Sequence, residues 1–486
     1  MFLTFISPRW PGLACATALG LVLAGCAVGP DFKTPDAPKV SAYTADKVET
    51  ATPPDGQHFV AGQDVPGQWW KAFGSPALDA LVEDALAHNA DLEAAQAALH
   101  MARETAAAQG GSLWPSVDLQ FTPTRQKVAD TLASPLADNS YIYNLHTAQL
   151  NISYAPDIFG GARRQVEASR AQAEVQRFQR NATYLTLVSN VVLAVVNEAS
   201  LREQLQAAEK AAALAAQQLE LVEKQRTLGA LGQADVAAQE SLLAQAQAVL
   251  PGLRKQLAQQ RDQIAVLAGR FPEQGGTPQL MLSALTLPSE LPLSLPSTLV
   301  QQRPDVRAAQ AQLQAASAQV GVAVANRLPS FSITGTLGSS AQDISNLFKP
   351  GTAFWSLGLN LATPIFHGGA LQHQQRAAEA GLDQARAQYR SVVLAAFQNV
   401  ADTLHAMAAD ADALKAAARA EGAARRSFDA AQAQWKAGLA GYPQVLLAEQ
   451  NLLTASQSRV QAQAARLSDT VALFQALGGG WWHQDL

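Results

Sequence analysis

An internal repeat constrains this chain more than any other feature. Three motifs recur at a spacing of roughly 210 residues, so the second half repeats the order of the first. The matched pairs are residues 89–96 with 303–310, 114–116 with 328–330, and 160–162 with 368–370. A stretch rich in proline and leucine, residues 285–296, links the halves. We therefore expect two copies of one structural unit.

Each half opens with a helical pattern, over about residues 76–109 and 304–327, and Gly110-Gly111 is a plausible stop for the first. Two segments of alternating apolar and polar residues follow. Alternation over about 10 residues is typical of transmembrane barrel strands. The apolar positions are Val117, Leu119, Phe121, Leu150, Ile152, Tyr154, Phe331, Ile333, Trp355, Leu357, Leu359 and Leu361. From the strands alone, soluble hairpins over a small core remain an alternative.

A very long helical hairpin closes each half. Helical periodicity without proline covers residues 161–228 and 369–437, and at about 1.5 Å per residue each helix would be roughly 100 Å long. A glycine-rich turn and a returning helix follow each one. Pro251 should kink or interrupt the first returning helix. The abundance of Ala, Gln and Ser predicts a wall one helix thick with water on its faces.

Four strands per chain do not suffice for a membrane barrel. Unpaired strand edges are not tolerated in lipid, and natural barrels begin near eight strands. Three copies related by cyclic symmetry would supply about twelve strands, which is enough to surround a lumen. The strand count therefore predicts an oligomeric channel.

The N-terminus is expected to be a lipoprotein signal peptide. An apolar stretch over residues 13–24, too short for an ordinary membrane-spanning helix, ends in Leu-Ala-Gly-Cys at Cys26. Small residues before a cysteine are what a lipoprotein signal peptidase recognises, although an ordinary signal peptide with a chance cysteine is the alternative. Ala27 favours the outer membrane over inner-membrane retention. Residues 27–66, rich in Pro, Asp, Thr and Lys, predict an extended tether.

Charge and residue pattern speak against several other classes. A net charge of −5 leaves no face basic enough for nucleic acid. The two cysteines, Cys15 in the removed segment and Cys26, leave no thiol for a disulfide, metal site or nucleophile. The histidines lack metal-ligand spacing, and no glycine-rich phosphate loop is present. We expect no metal and no enzyme. Trp69, Trp70, Trp481 and Trp482 are candidate interfacial anchors, although local packing is the commoner role of such residues.

Taken in order, the motifs resemble those of outer membrane factors of the TolC type. The similarity is closest to the lipoprotein branch that serves resistance-nodulation-division (RND) efflux pumps, called OprM-like or NodT-like. It covers essentially the whole mature chain. The residues that carry it are 26–32, 69–73, 303–306, 326–330, 363–366, Gly368 and Gly369.

The resemblance implies a mixed α/β membrane protein. A homotrimeric 12-stranded transmembrane β-barrel, with about four strands per chain, would be continuous with a long periplasmic α-helical barrel. It further implies, as partners, a periplasmic membrane-fusion adaptor protein, an inner-membrane RND-type pump and outer membrane lipid. No cofactor is implied beyond lipid on Cys26, as N-palmitoyl and S-diacylglycerol groups.

In the family the glycine-rich turns form a periplasmic tip that docks the adaptor and opens. The tip and gate residues carried over are Gly229, Gly232, Asp235, Gly438, Gly441 and Tyr442. Asp235 is equally suited to cap the returning helix. Relatives commonly place an acid about a turn beyond the tyrosine, but Leu447 stands there and Glu449 is displaced. A ring of Tyr442, or a hydrophobic constriction, is therefore expected at the gate instead of a carboxylate ring.

These expectations define one leading function. The chain should be an outer-membrane exit duct that passively conducts small molecules, such as drugs and toxic compounds, in a tripartite efflux system. A channel for type I protein or polysaccharide secretion is the alternative, and a periplasmic coiled-coil structural or adaptor protein is a third. The expected segments are the signal peptide 1–25, the acylated tether 26–68, the repeats 69–285 and 286–478, and the tail 479–486.

Overall fold

The computed structural model describes residues 27–46, 57–132, 140–276 and 278–484. The signal peptide and Cys26 lie outside these ranges. Within them both halves show the same order: a short strand, two helices, two long strands, a very long helix and a returning helix. The first-half elements are β1 His58–Ala61, α1 Pro76–His88, α2 Ala90–Gly111, β2 Ser116–Lys127, β3 Ile142–Tyr154, α3 Gly161–Thr227 and α4 Gln233–Leu267.

The second half repeats this order element by element. Its elements are β4 Glu290–Leu293, α5 Pro296–Gln302, α6 Pro304–Ala325, β5 Ser330–Ala341, β6 Ala353–Ala362, α7 Ala370–Lys436 and α8 Tyr442–Ala476. The repeat seen in the sequence is therefore a repeat in the fold. The long helices begin and end within a residue or two of their predicted bounds.

The helix expected over about residues 76–109 is two helices, which corrects the prediction. Asn89 adopts an extended conformation between α1 and α2. Its side-chain oxygen accepts hydrogen bonds from the backbone N–H groups of Asp91 and Leu92, both at 3.1 Å. Its amide donates to the carbonyl of Leu267. Asn89 thus caps α2, and the same break recurs at Arg303 between α5 and α6.

Pro251 does not interrupt α4, which runs unbroken from Gln233 to Leu267. Proline removes one helix hydrogen bond and leaves the carbonyl four residues earlier without its usual donor. Pro251 and Gln247 are both exposed, so water can satisfy that carbonyl. This exposure explains why the helix tolerates a proline that the sequence alone marks as a breaker.

The chain forms two compact units, each built from segments of both halves. One comprises the described residues up to Thr34 and those within His100–Val175 and Ala309–Tyr389, and it contains a four-stranded sheet of order β2-β3-β5-β6. All three pairings in this sheet are antiparallel.

The other unit comprises the described residues within Pro35–Leu99, Gln176–Ala308 and Arg390–Leu486. In it β1 and β4 pair in parallel. Trp69 and Trp70 are buried, and Trp69 stacks on Phe474 at 5.1 Å between ring centroids. Trp481 packs edge-on against Phe178 and donates to the carbonyl of Gln302, and Trp482 donates to Asp64. The four tryptophans therefore pack locally, which is the commoner role expected of such residues from the sequence.

Among the described residues, one helix, α3, contains a stretch long and apolar enough to cross a bilayer. Within that stretch 72% of the residues are buried, as in the core helix of a soluble fold. The stretch is therefore weak evidence for a membrane-spanning helix.

Candidate functional site: the strand face and the hairpin turns

One face of the four-stranded sheet is apolar and exposed in the single chain. Register places Leu119, Leu150, Leu337 and Trp355 side by side across the four strands. Leu119, Trp355 and Leu357 are each about three-quarters exposed. A continuous apolar surface of this kind is costly in water and favourable against hydrocarbon.

The opposite face of the sheet is polar. Register aligns Asp118, Asn151, Thr336 and Ser356 in one row. Asn151 donates to Gln120 at 3.1 Å and accepts from Gln149 at 2.9 Å. The alternation predicted for barrel strands is thus present in the structure, with water-compatible groups on the face that would line a lumen.

The sheet has two open edges. Among the described strands, β2 pairs only with β3 and β6 pairs only with β5. Unpaired backbone groups are not tolerated in lipid, so strands of further copies must cover these edges.

Each long hairpin turns at a glycine in the left-handed conformation. Gly229 has φ +77° and Gly438 has φ +74°. The hydrogen bonds correspond residue for residue: Ala230 donates to the carbonyl of Gln225, and Leu439 donates to the carbonyl of Gln434. Glycine commonly ends helices in this way, because a residue with a Cβ would be strained in the left-handed conformation.

The second glycine of each turn starts the returning helix. Gly232 and Gly441 are the N-caps of α4 and α8. The backbone N–H of Gly232 donates to the Asp235 carboxylate at 2.9 Å. Asp235 therefore has a capping role, and its part in a gate stays a prediction. Pro443 lies in the first turn of α8, where its missing N–H costs little.

Tyr442 is buried between the two hairpins and does not protrude. Its ring lies 5.1 Å from that of Trp435 on α7 and packs with Val222 of α3 and Val236 of α4. Only 3% of Tyr442 is exposed. The expected ring of Tyr442 side chains around an aperture is therefore wrong for this structure, because the side chain is enclosed by its own chain.

The Tyr442 hydroxyl lies within hydrogen-bond reach of two buried glutamines. It is 3.1 Å from Oε1 of Gln239 and 3.3 Å from Oε1 of Gln218. Gln239 is itself fixed by donating to the carbonyl of Ala215 at 2.8 Å. Burial, with the nearby Glu449 carboxyl, raises the pKa of Tyr442 above its ordinary value, so the hydroxyl keeps its proton and donates. We call Tyr442, Gln218 and Gln239 the tyrosine latch.

The acidic residue displaced from the family position faces inward. Glu449 is 6% exposed, whereas Leu447 is 60% exposed. Burial raises the pKa of the Glu449 carboxyl to about 7. Its Oε2 atom has no hydrogen-bond partner among the described residues. Leu447, not an acid, is thus the accessible side chain at this level of α8.

The structure combines an apolar strand face, two open sheet edges and paired long helical hairpins. Together these features define an oligomeric channel whose strands span a membrane. The family model described as "Outer membrane efflux protein" matches residues 81–270 and 295–479, most of the chain. The chain belongs to this family.

Relatives that are named for export or efflux match between 79% and 95% of this chain. It is 31% identical to the pyoverdine export outer membrane protein OpmQ of Pseudomonas aeruginosa, over 89% of this chain and 92% of that protein. It is 27% identical to the toluene efflux pump outer membrane protein TtgC of Pseudomonas putida, over 95% and 94%. The cation efflux system protein CusC of Escherichia coli is 26% identical over 79% and 81%.

Solved structures of outer membrane proteins have the same fold as this chain. The outer-membrane channel OprN superposes with a TM-score of 0.84 at 28% identity, covering 94% of this chain and 100% of that one. VceC of Vibrio cholerae superposes with a TM-score of 0.80 at 27% identity, covering 86% and 100%.

These matches confirm the family, the trimeric fold class, the outer-membrane location and the function as an efflux duct. The alternative of a periplasmic coiled-coil adaptor is wrong, because the matched proteins are outer-membrane channels. The family is one of channels and not of enzymes. Sequence reasoning missed Gln218 and Gln239, since two glutamines among many on long helices carry no distinguishing pattern.

Proposed function

We propose that this duct receives small molecules from an inner-membrane RND-type pump through a periplasmic membrane-fusion adaptor protein. The cargo class is proposed from the names of relatives that match 79% to 95% of this chain. Their names specify export of pyoverdine and efflux of toluene, antibiotics or cations. Secretion of a protein or polysaccharide is the competing function.

Deleting the gene tests the cargo directly. We expect a deletion strain to become sensitive to at least one drug, dye, solvent or metal in a broad panel, and plasmid-borne wild-type protein to restore tolerance. Unchanged tolerance together with loss of an extracellular protein or polysaccharide would favour the competing function.

The hairpin turns are proposed as the adaptor-docking tip. Leu228 and Leu439 flank the two left-handed glycines and are each more than four-fifths exposed. Two exposed leucines at equivalent turns offer matching apolar contacts to a helical partner. The tip set comprises Gly229, Gly232, Asp235, Gly438, Gly441 and Tyr442. Replacing both leucines with Ser should abolish co-purification of the adaptor, whereas replacing Leu221 on the helix shaft should not.

The tyrosine latch is proposed to hold the two hairpins of one chain together in the resting state. Tyr442 on α8 bonds Gln218 on α3 and Gln239 on α4. Separation of the hairpins would break these bonds, so the latch favours the closed arrangement. Leu447 is exposed and is proposed as the side chain that narrows the passage.

Acylation of Cys26, with N-palmitoyl and S-diacylglycerol groups, is proposed from its sequence setting. Cys26 itself lies outside the described residues. The relative SilC of Salmonella typhimurium is named an outer membrane lipoprotein, at 27% identity over 79% of this chain. Mass spectrometry of the mature N-terminal peptide tests the proposal, and an unmodified Cys26 thiol would contradict it.

A further inference from the structure

The first residues after Cys26 do not form a free tether. Residues 27–34, here called the strap, lie against α3 and α6 in the unit that contains the four-stranded sheet. The backbone N–H of Val28 donates to the carbonyl of Phe159 at 3.0 Å. Phe32 packs against the buried apolar cluster that contains Leu313 and Leu382. The composition of this segment predicts an extended tether, and specific contacts hold residues 27–34 of it in place.

Arg164 is the main polar attachment of the strap. Its side chain is only 7% exposed and bonds Asp31 at 2.6 Å and Glu167 at 2.8 Å. Its Nε atom donates to the carbonyl of Val28 at 3.2 Å. A buried guanidinium without partners would be costly, so the strap supplies two of the acceptors that Arg164 needs.

Glycines allow the strap to approach very closely. A Cβ on Gly29 would lie 2.4 Å from Cα of Gly321, and Gly29 has φ +91°. A Cβ on Gly160 would lie 2.7 Å from Cα of Ala27. Side chains at these positions would push the strap away. The close approach of the strap therefore depends on three glycines, which are Gly29 in the strap and Gly160 and Gly321 in the surface that it contacts.

A cavity adjoins the point where the strap begins. It has a volume of about 640 Å³ and lies where β3, β5 and β6 meet their neighbouring helices. Most of its lining is apolar, and it includes Ile158, Phe159, Leu328, Phe331, Pro364 and Leu371. Phe159 and Gly161 of this lining flank Gly160, against which Ala27 lies. The polar lining residue Asp157 is turned to the start of α3, where it accepts from the N–H groups of Ala162 and Arg163.

We propose that this cavity takes one acyl chain of the lipid on Cys26, which the strap delivers to its rim. The inference rests on the proposed acylation of Cys26. Cys26 is covalently joined to Ala27, so its acyl chains have a high effective concentration at the cavity. Burial of methylene groups favours occupancy by an acyl chain over water. The strap and the cavity together make the lipid part of the folded channel and not only a membrane anchor.

Photocross-linking tests the occupant. Cells fed a diazirine-bearing palmitic acid incorporate it into lipoproteins, and light then links the acyl chain to what surrounds it. We expect cross-links to peptides containing residues 155–162 or 325–331. Gly29→Leu should lower that yield at least fivefold, and Asp31→Asn should lower it measurably. Asp36→Asn, a matched change beyond the strap, should leave it at the wild-type level.

The outcomes separate this inference from the proposals on which it rests. Cross-links to phospholipid alone, or an unchanged yield in Gly29→Leu, would overturn the cavity site. A wild-type chain that carries no labelled lipid would overturn acylation itself. Asp31→Asn changes an exposed strap residue, so it keeps the test valid should Gly29→Leu fail to reach the membrane. Conductance of the purified channel should be the same in all variants.

Discussion

At the scale of residues, the tyrosine latch makes the sharpest mechanical prediction. Tyr442→Phe removes one hydroxyl and keeps the ring packed against Trp435, so the bonds to Gln218 and Gln239 are lost without a cavity. The bonds exist only in the closed arrangement, so losing them destabilises that arrangement and leaves the open one unchanged. We therefore expect a higher resting conductance in planar bilayers. Tyr184→Phe is the control, since its buried hydroxyl has no hydrogen-bond partner among the described residues. Equal conductance in wild type and Tyr442→Phe would remove the latch from gating.

Glu449 predicts a pH dependence of stability. Burial raises the pKa of its carboxyl from 4.5 to about 7, so the folded chain retains the proton that the unfolded chain has lost. The free energy of unfolding therefore falls as pH rises from about 4.5 to about 7. Each pKa unit is worth about 1.4 kcal/mol.

Glu449→Gln should remove this dependence. We expect its thermal transition in detergent to lie above that of wild type at pH 8 and close to it at pH 4. Glu240→Gln, at an exposed position of α4, is the control and should follow wild type at both values. A wild-type advantage at pH 8 would mean that the carboxylate has a partner that stabilises its charged form.

The same residues show how far sequence reasoning reaches. The role of Gly229 and Gly438 was predictable, because a glycine after a long helical pattern usually ends the helix in the left-handed conformation. The burial of Tyr442 was not, since it depends on side chains from α3 and α4, far away in sequence. Glu449 shows the same limit. The sequence shows that Glu449 is displaced from the family position. It does not show that the side chain is buried, because that depends on how the preceding turn orients α8 about its axis.

At the scale of elements, the strand face predicts an asymmetry between neighbouring residues. Leu357 lies on the apolar face of β6, and Ser356 lies on the polar face. A lysine on the lipid face of a barrel costs about 2–4 kcal/mol near the bilayer midplane. Leu357→Lys should therefore reduce assembled channel in the outer membrane, and Ser356→Lys should be tolerated. Quantitative blotting of membrane fractions measures both, and equal levels would contradict the assignment of the faces.

Elements also differ in how well their patterns predict them. The long strands and long helices were predictable because many residues repeat one period. β1 and β4 have four residues each, too few to establish a period, and they form by pairing with each other across the two halves. The break at Asn89 was hidden because the helical pattern continues through it, and only the capping bonds reveal it.

At the scale of the whole molecule, the account depends on closure of the barrel by three copies. The order β2-β3-β5-β6 leaves one edge on β2 and one on β6. In a closed ring, β6 of one copy must pair with β2 of the next. Residues 26–486 contain one cysteine, Cys26, which is proposed to carry lipid. Cysteines introduced into the strands can therefore report this pairing.

Disulfide trapping between these edges is the most direct measurement. Gln120→Cys on β2 is combined in turn with cysteines at positions 354, 356, 358 and 360 on β6, and oxidised outer membranes are run on non-reducing gels. We predict that at least one pair gives a covalent product that stops at the trimer and returns to monomer on reduction. A ladder that continues beyond three copies, or the absence of intermolecular products from every pair in protein that reaches the outer membrane, would contradict the closed trimeric channel.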